Sequence, residues 1–197
     1  GRRRQRQMCI RDRSKYIDGM HEAGMKSTAK HFPGHGGVHE DSHIDLPVDD
    51  RSLEELLQND IEPYLKLKGK IDAVMCAHVL FSSIDKNIPS YSKFWIQKII
   101  RNKLDFDCIV FSDDLSMYGA GEESYYSKIL KSLNAGCDMV LICNKRNHLK
   151  EVLDNLEKSS IKLSNKLSNM KKYKDVSWND LNQDKRALNI RELLSKI

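Results

Sequence analysis

The carboxylate and histidine side chains best suited to chemistry fall in two short segments of the sequence, residues 30–43 and 112–114. In the first segment Asp41 and His43 are two residues apart, so an extended or turn backbone points both side chains the same way. A carboxylate bonded to one ring nitrogen fixes the tautomer of the imidazole and raises its basicity, which suits a proton shuttle. A simple Asx-turn would also explain the two residues, and the spacing alone leaves both interpretations open.

Four histidines in the first segment recur at intervals of four residues, as they would on one face of a metal-binding helix: His31, His35, His39 and His43. Pro33 and three glycines interrupt the same segment, and these residues oppose helix formation. We therefore predict loop histidines that form hydrogen bonds or face solvent, and no metal site.

In the second segment two adjacent carboxylates, Asp113 and Asp114, follow the apolar run 108–111. One interpretation is a helix N-cap after a βα turn. The other is a carboxylate delivered to the mouth of an active site. Ser112 is a competing nucleophile, but it lacks the G-x-S-x-G turn that exposes a catalytic serine.

Helices and strands alternate along the chain and must position these segments. Predicted strands end near residue 32 and cover 71–79, 108–111 and 137–143, and they lack the polar/apolar alternation of a half-exposed sheet. Strands of this kind separated by helices indicate a parallel sheet, covered on both faces, with right-handed crossovers. The predicted helices span 16–25, 53–67 with an N-cap at Ser52 and a kink at Pro63, 91–104, 122–134 before Gly136, and 148–158.

Polar residues stand at the end of each predicted strand, at Lys30–His31, Ala77–His78, Asp113–Asp114 and Cys143–Asn144. Parallel α/β folds place their chemistry at the carboxyl ends of the strands. A (β/α)8 barrel needs eight strands and about 250 residues, and four strands are visible here. The pattern alone therefore fits an open sheet or half of a barrel.

The net charge of +5 is concentrated in the N-terminal arm, residues 1–13, which holds six of the Arg residues and one Asp. The remaining chain is electrically balanced and gives no reason to expect a nucleic-acid or membrane partner. We expect the arm to be disordered or foreign to the fold. A nucleic-acid-binding tail is the alternative for this segment.

Five cysteines, an odd number without a C-x-x-C pair, predict reduced thiols rather than a disulfide framework. Four of them lie in apolar runs, where a thiol behaves as a small buried hydrophobe. No apolar run has the roughly 18 residues of a membrane span, and no apolar stretch follows the basic N-terminus as in a secretory signal. Together these features predict a cytoplasmic protein.

Several motifs occur in a fixed order: KHFPGHG at 30–36, D-S-H at 41–43, A-H at 77–78, FSDDLSM at 111–117 and AGCDMV at 135–140. This set resembles the glycoside hydrolase family 3 β-N-acetylhexosaminidases of bacterial peptidoglycan recycling. The resemblance implies an α/β fold in which residues 14–158 are the C-terminal half, strands five to eight, of a (β/α)8 TIM barrel. Residues 159–197 would then be a helical tail, and the N-terminal half of the barrel would be a missing partner.

The same resemblance assigns roles to individual residues. It implies that Asp113 is the nucleophile, His43 the general acid/base and Asp41 the residue that orients His43, while Lys30 and His31 bind the sugar. The implied reaction removes terminal N-acetylglucosamine from small muropeptides by double displacement, with retention of configuration and without metal or cofactor. The alternative is an inactive half-barrel, or a sugar-binding scaffold whose site residues no longer turn substrate over.

Overall fold

In a computed structural model that describes residues 2–40, 42, 44–143, 145–159, 161 and 164–196, a parallel four-stranded sheet lies at the centre. Its strands follow chain order, β1 (Thr28–Phe32), β3 (Ala73–Cys76), β5 (Ile109–Asp114) and β6 (Met139–Leu141). Two further strands, β2 (Val48–Asp49) and β4 (Leu80–Phe81), pair in parallel as a small separate sheet. The α-helices are α1 (Arg2–Glu22), α2 (Leu53–Gln58), α3 (Glu62–Lys66), α4 (Tyr125–Ala135), α5 (Arg146–Glu157), α6 (Trp178–Gln183) and α7 (Lys185–Leu194). A π-helix covers Phe94–Lys103, and short 3-10 helices cover Pro89–Tyr91, Tyr118–Ala120 and Asn165–Met170.

Helices cover one face of the central sheet, and the described residues leave its other face partly open. Val74 and Val110 are fully buried against a core that contains Trp95 of the π-helix. On the opposite face Met75 lies in register with Phe111, which is half-buried, and Phe111 with Met139, which is 42% exposed. The prediction that both faces are covered is therefore wrong for the described residues.

Local capping explains where several helices begin and end. The Ser52 hydroxyl accepts a hydrogen bond from the Glu55 amide, and the Glu55 carboxylate accepts one from the Ser52 amide, so α2 begins with a capping box. Pro63 occupies the first turn of α3, which separates the predicted helix 53–67 into two. Gly136 ends α4 with φ of +117°, a conformation that residues with a side chain rarely adopt. These termini confirm the predicted positions.

Other elements depart from the predictions. The segment predicted as an α-helix over 91–104 is a π-helix, in which the Leu104 amide donates to the Ile99 carbonyl five residues earlier. The strand predicted over 71–79 is shorter in the structure: β3 ends at Cys76, and the chain forms the next strand, β4, only at Leu80. The N-terminal arm was expected to be disordered or foreign to the fold. In the structure it is helical, since α1 runs without interruption from Arg2. A foreign origin of the arm stays a prediction.

The cysteines follow the prediction with one exception. Cys76, Cys108 and Cys137 are buried, and the five thiols are unpaired. Cys143 was predicted to be buried in a strand, but it is exposed because β6 ends at Leu141. No helix in the described ranges has the length and hydropathy to cross a bilayer.

The last part of the chain returns to the amino ends of the strands. Ser164 donates to the Asp138 carboxylate at the start of β6. The ammonium group of Lys26, near the start of β1, lies over the ring of Tyr173 in a cation–π contact. The Tyr173 amide donates a hydrogen bond to the Gly24 carbonyl. This segment therefore spans the sheet at the edge opposite to the site described next, and α6 and α7, which follow it, have no buried residues.

Candidate active site

The structure brings a histidine of β1 and a carboxylate of β5 together at the carboxyl edge of the sheet. His31 Nε2 lies 3.5 Å from Asp113 Oδ2, and their side chains are 30% and 13% exposed. Lys30, the residue before His31, is exposed on the same strand. The Lys30–His31 and Phe32–Pro33 peptide bonds are cis. Three of the residues predicted for the site therefore lie at the carboxyl ends of β1 and β5, on either side of β3.

The two adjacent carboxylates of β5 have different surroundings. Asp114 accepts hydrogen bonds from the amide and hydroxyl of Ser116, at 2.9 and 2.7 Å, and from the Cys143 amide at 3.1 Å. Burial alone would raise the pKa of Asp114, but these hydrogen bonds outweigh it and lower the pKa below its ordinary value. Asp113 accepts the Asp114 amide at 2.8 Å through Oδ1 and directs Oδ2 toward His31. The Asp114 carboxylate therefore stabilises the following turn, while one oxygen of the Asp113 carboxylate is directed toward His31.

Ser112 has a structural environment. It is fully buried, and its hydroxyl oxygen accepts a hydrogen bond from the Leu141 amide at 3.1 Å, which joins β5 to β6. A hydroxyl in this position is not presented to a substrate. The serine nucleophile considered from the sequence is therefore not supported by the structure.

His78, which follows β3, is a site residue to which sequence reasoning gave no role. Its side chain is fully buried, and neither ring nitrogen has a hydrogen-bond partner among the described residues. Burial lowers the pKa of His78 to about 4, although the negative charges of Asp113 and Asp114 act in the opposite direction. A neutral imidazole therefore lies beside the carboxylates. The available signal was a histidine directly after an apolar strand.

The loop after β1 approaches the same strand ends. His35 Nε2 lies 3.2 Å from the Ser42 hydroxyl, and the rings of His31 and His35 meet edge to face with centroids 5.9 Å apart. The Ser42 carbonyl accepts the Gly119 amide at 3.2 Å. A Cβ on Gly119 would lie 3.1 Å from the Cβ of His78, so the absent side chain allows this close approach. The segment that contains the D-S-H motif is therefore anchored at its central serine.

The predicted acid/base pair, Asp41 and His43, lies outside the described residues. Within the described ranges, no three His, Cys, Asp or Glu side chains are close enough together to hold a metal ion. The predicted loop, rather than a helix, is confirmed for residues 33–40, where His39 is exposed.

A cleft of about 760 Å³ runs along the outer edge of β1. Its walls come from α1, which contributes Tyr16 and Met20, and from α3 and the turn before it. Lys30, His31 and His35 line the end of the cleft at the carboxyl edge of the sheet. The site thus adjoins a volume large enough for a small ligand.

A parallel α/β sheet with a carboxylate and histidines at its carboxyl edge has the organisation of α/β enzymes, which place their chemistry at the carboxyl ends of the strands. Comparison with known proteins identifies the family. Residues 4–172 match the family described as "Glycosyl hydrolase family 3 N terminal domain". The chain belongs to this family, which confirms the resemblance seen in its motifs.

Two curated relatives of the chain are named for the same activity. The chain is 45% identical over 187 residues to the "Beta-hexosaminidase" of Haemophilus influenzae, a match that covers 90% of this chain and 53% of that protein. It is 38% identical over 201 residues to the "Beta-hexosaminidase" of Pasteurella multocida, covering 98% of this chain and 57% of that protein. The chain therefore spans about half the length of the curated relatives that it matches.

Solved structures agree with this assignment. Native NagZ from Neisseria gonorrhoeae superposes with a TM-score of 0.68 at 36% identity, covering 77% of this chain and 44% of that chain. The β-N-acetylglucosaminidase from Thermotoga maritima gives a TM-score of 0.64 at 34% identity, covering 72% and 31%. These likenesses confirm an α/β fold with a parallel sheet.

Proposed function

We propose that this chain carries the nucleophile half of a retaining exo-β-N-acetylhexosaminidase that removes terminal N-acetylglucosamine from small muropeptides in the cytoplasm. One observation supports this function most strongly: of the two carboxylates at the end of β5, Asp114 is held by three hydrogen bonds from the following turn and the end of β6, whereas Asp113 faces His31. The names of the relatives supply the reaction class.

In the proposed reaction Asp113 attacks the anomeric carbon of the sugar and displaces the leaving oxygen, which takes a proton from His43. This forms a glycosyl-aspartate. Water then attacks the same carbon, gives a proton back to His43 and releases Asp113. Two inversions at one carbon retain the configuration. Asp41 holds the imidazole in its reactive tautomer, and the neutral pKa range of histidine lets it serve in both steps.

Lys30 and His31 are the proposed sugar-binding residues. Both line the cleft at the carboxyl edge of β1, and His31 lies beside the nucleophile. A cation and an imidazole at this position can donate hydrogen bonds to sugar hydroxyls.

We further propose that the four-stranded sheet corresponds to strands five to eight of a (β/α)8 barrel whose N-terminal half is the missing partner. The length of the relatives supports this. So does the partly open row of Met75, Phe111 and Met139, which an eight-stranded barrel would enclose. Residues 14–158 would form the partial barrel, and residues 159–197 the tail.

The test is hydrolysis of an aryl N-acetylglucosaminide by the 197-residue chain alone and by a fusion of this chain to the N-terminal part of the Haemophilus influenzae relative. We call this fusion the joined protein. Asp113→Asn should lower kcat by three to five orders of magnitude, as expected when a covalent nucleophile is removed. Asp114→Asn is the matched control, since it removes a charge one residue away and should retain most of the turnover. A joined wild-type protein that binds the sugar without turning it over would instead support the scaffold alternative.

A further inference from the structure

An ion-pair network lies beneath the loop that follows β1. Arg51 Nε and Nη2 contact the two carboxylate oxygens of Asp49 at 3.0 and 2.7 Å, and Nη1 contacts Asp60 at 2.8 Å. The guanidinium thus bridges two carboxylates with a planar set of donors that a lysine could not reproduce. We refer to Asp49, Arg51 and Asp60 as the Arg51 network.

The Arg51 network is largely removed from solvent and joins separate elements. The side chains of Asp49, Asp60 and Arg51 are 3%, 15% and 27% exposed. Asp49 belongs to β2, and its carbonyl accepts the amide of Ser82 after β4, while Asp60 lies between α2 and α3. Burial would raise the pKa of Asp49, but the hydrogen bonds from Arg51 lower it, so the carboxylate stays ionised.

Two glycines of the loop lie directly against this network. A Cβ on Gly34 would come within 2.4 Å of Asp60 Oδ1, and a Cβ on Gly37 within 2.2 Å of Arg51 Nη2. At either distance the side chain of the network would have to shift, and the guanidinium can shift only by loosening its contacts with the two carboxylates. Gly36, between them, would meet nothing within 4 Å. The loop backbone therefore contacts the network at two points, and a side chain at either glycine would disturb the network.

The same loop reaches the catalytic edge at its other side. His35, between the two contact glycines, lies 3.2 Å from the Ser42 hydroxyl and packs against the ring of His31. A shift of the loop on the Arg51 network would therefore move His35 and Ser42 relative to Asp113. The network contacts the loop backbone at Gly34 and Gly37, and its side chains bond to one another rather than to His31 or Asp113.

We propose that Arg51 is a positioning residue: bridged between Asp49 and Asp60, it forms the seat for Gly34 and Gly37 and so sets the position of the histidine loop over the nucleophile. The support of Gly34 and Gly37 by Arg51 follows from these contacts alone. Its catalytic consequence rests on the proposed function, in which the segment after this loop carries the acid/base histidine.

Hydrogen–deuterium exchange of the 197-residue chain tests the seat directly. Arg51→Met should speed exchange of the amides of residues 34–40 by about tenfold or more, because the loop loses its support. Arg101→Met is the matched control. Arg101 also forms a partly buried ion pair, with Asp138 at 2.8 Å, but it lies at the amino edge of the sheet. This variant should lower the melting temperature and leave exchange of the loop unchanged.

Glycine substitutions keep the test decisive if Arg51→Met does not fold. Gly34→Ala and Gly37→Ala should each raise exchange in the loop, whereas Gly36→Ala should not, since its Cβ meets open space. Equal effects of Gly36→Ala and Gly37→Ala on exchange would contradict the proposal that the Arg51 network supports the loop at Gly34 and Gly37. So would wild-type exchange in a folded Arg51→Met variant.

Kinetics of the joined protein separate positioning from general destabilisation. Arg51→Met should lower kcat/KM about tenfold more for a substrate with a poor leaving group than for an activated aryl glycoside, because the acid step depends on the loop. Arg101→Met should lower kcat/KM equally for the two substrates. Arg51→Lys should show the same unequal losses as Arg51→Met, because a lysine cannot bridge the two carboxylates. If wild type shows no hydrolysis, the proposed function fails while the exchange result still decides the seat. Equal losses with Arg51→Met, in an active enzyme, would contradict the positioning role.

Discussion

The carboxylate of Asp72 should make the stability of this chain depend on pH in the acid range. It lies at the amino end of β3, where it accepts hydrogen bonds from Lys26 Nζ at 3.0 Å and from the amide and hydroxyl of Ser27 at 2.8 and 3.0 Å. His21 Nε2 is 2.7 Å away. Burial opposes ionisation, but these contacts outweigh it and lower the pKa of Asp72 from 3.8 to about 2.

The size and direction of the effect follow from this pKa. Because the folded state holds the ionised carboxylate more strongly than the unfolded chain, the contribution is complete above the unfolded pKa. It is lost as the pH falls from about 4 to about 2. At about 1.36 kcal/mol per pKa unit the drop is worth roughly 2 kcal/mol, and partial exposure of the side chain brings it to about 1–2 kcal/mol.

Urea unfolding of wild type and Asp72→Asn between pH 6 and pH 2 measures this contribution. At pH 6 the variant should be less stable by about 1–2 kcal/mol, and most of the difference should be lost near pH 2, where about half of the folded wild type carries a protonated Asp72. Asp105→Asn is the control, because its side chain is 91% exposed and its pairing with Lys68 is open to solvent. A loss with Asp72→Asn that is the same at both pH values would refute the assignment to the ionised carboxylate.

Three further predictions concern the site and the open sheet. Gly119→Ala should cost about 1–3 kcal/mol and reduce turnover, because its Cβ would press on His78 and the Ser42 carbonyl; thermal denaturation and the aryl glycoside assay check this. His43→Ala in the joined protein should slow substrates with poor leaving groups most, and a leaving-group series with equal losses would remove His43 from the acid role. The isolated chain should self-associate in sedimentation velocity through its open edges β1 and β6; a sharp monomer boundary without binding of a hydrophobic dye would contradict this.

Local features of this fold were predictable from sequence because their causes lie within a few residues. Ser52 with Glu55 encodes the start of α2, and Gly136 encodes the end of α4, since each acts on its own backbone. The placement of Asp113 beside His31 also followed, because parallel strands bring their carboxyl ends to one edge.

Features that depend on distant partners could not be predicted in this way. The Asp72 contacts join residues that are 45 to 51 positions apart, and nothing in the local pattern selects them. β2 and β4 are two residues long, too short to show a period of two. The π-helix has the same apolar spacing as an α-helix over its short length.

The site shows the same division. The two carboxylates can be recognised as candidates from the sequence. Their surroundings differ because Ser116 in the following turn and Cys143 after β6 donate hydrogen bonds to Asp114. The burial of His78 and the contact of Arg51 with Gly37 arise from chain segments that meet in space. Sequence therefore identified candidate residues, while the different surroundings of Asp113 and Asp114 and the contact of Arg51 with the loop required the structure.

Covalent trapping tests the central claim, that Asp113 is the nucleophile of a retaining β-N-acetylhexosaminidase, most directly. The joined protein is incubated with a mechanism-based fluorosugar of the N-acetylglucosamine type, digested and analysed by peptide mass with fragmentation. The account predicts one added glycosyl group on Asp113 and none on Asp114. A label on Asp114, or a protein that turns over substrate without labelling either carboxylate, would contradict it.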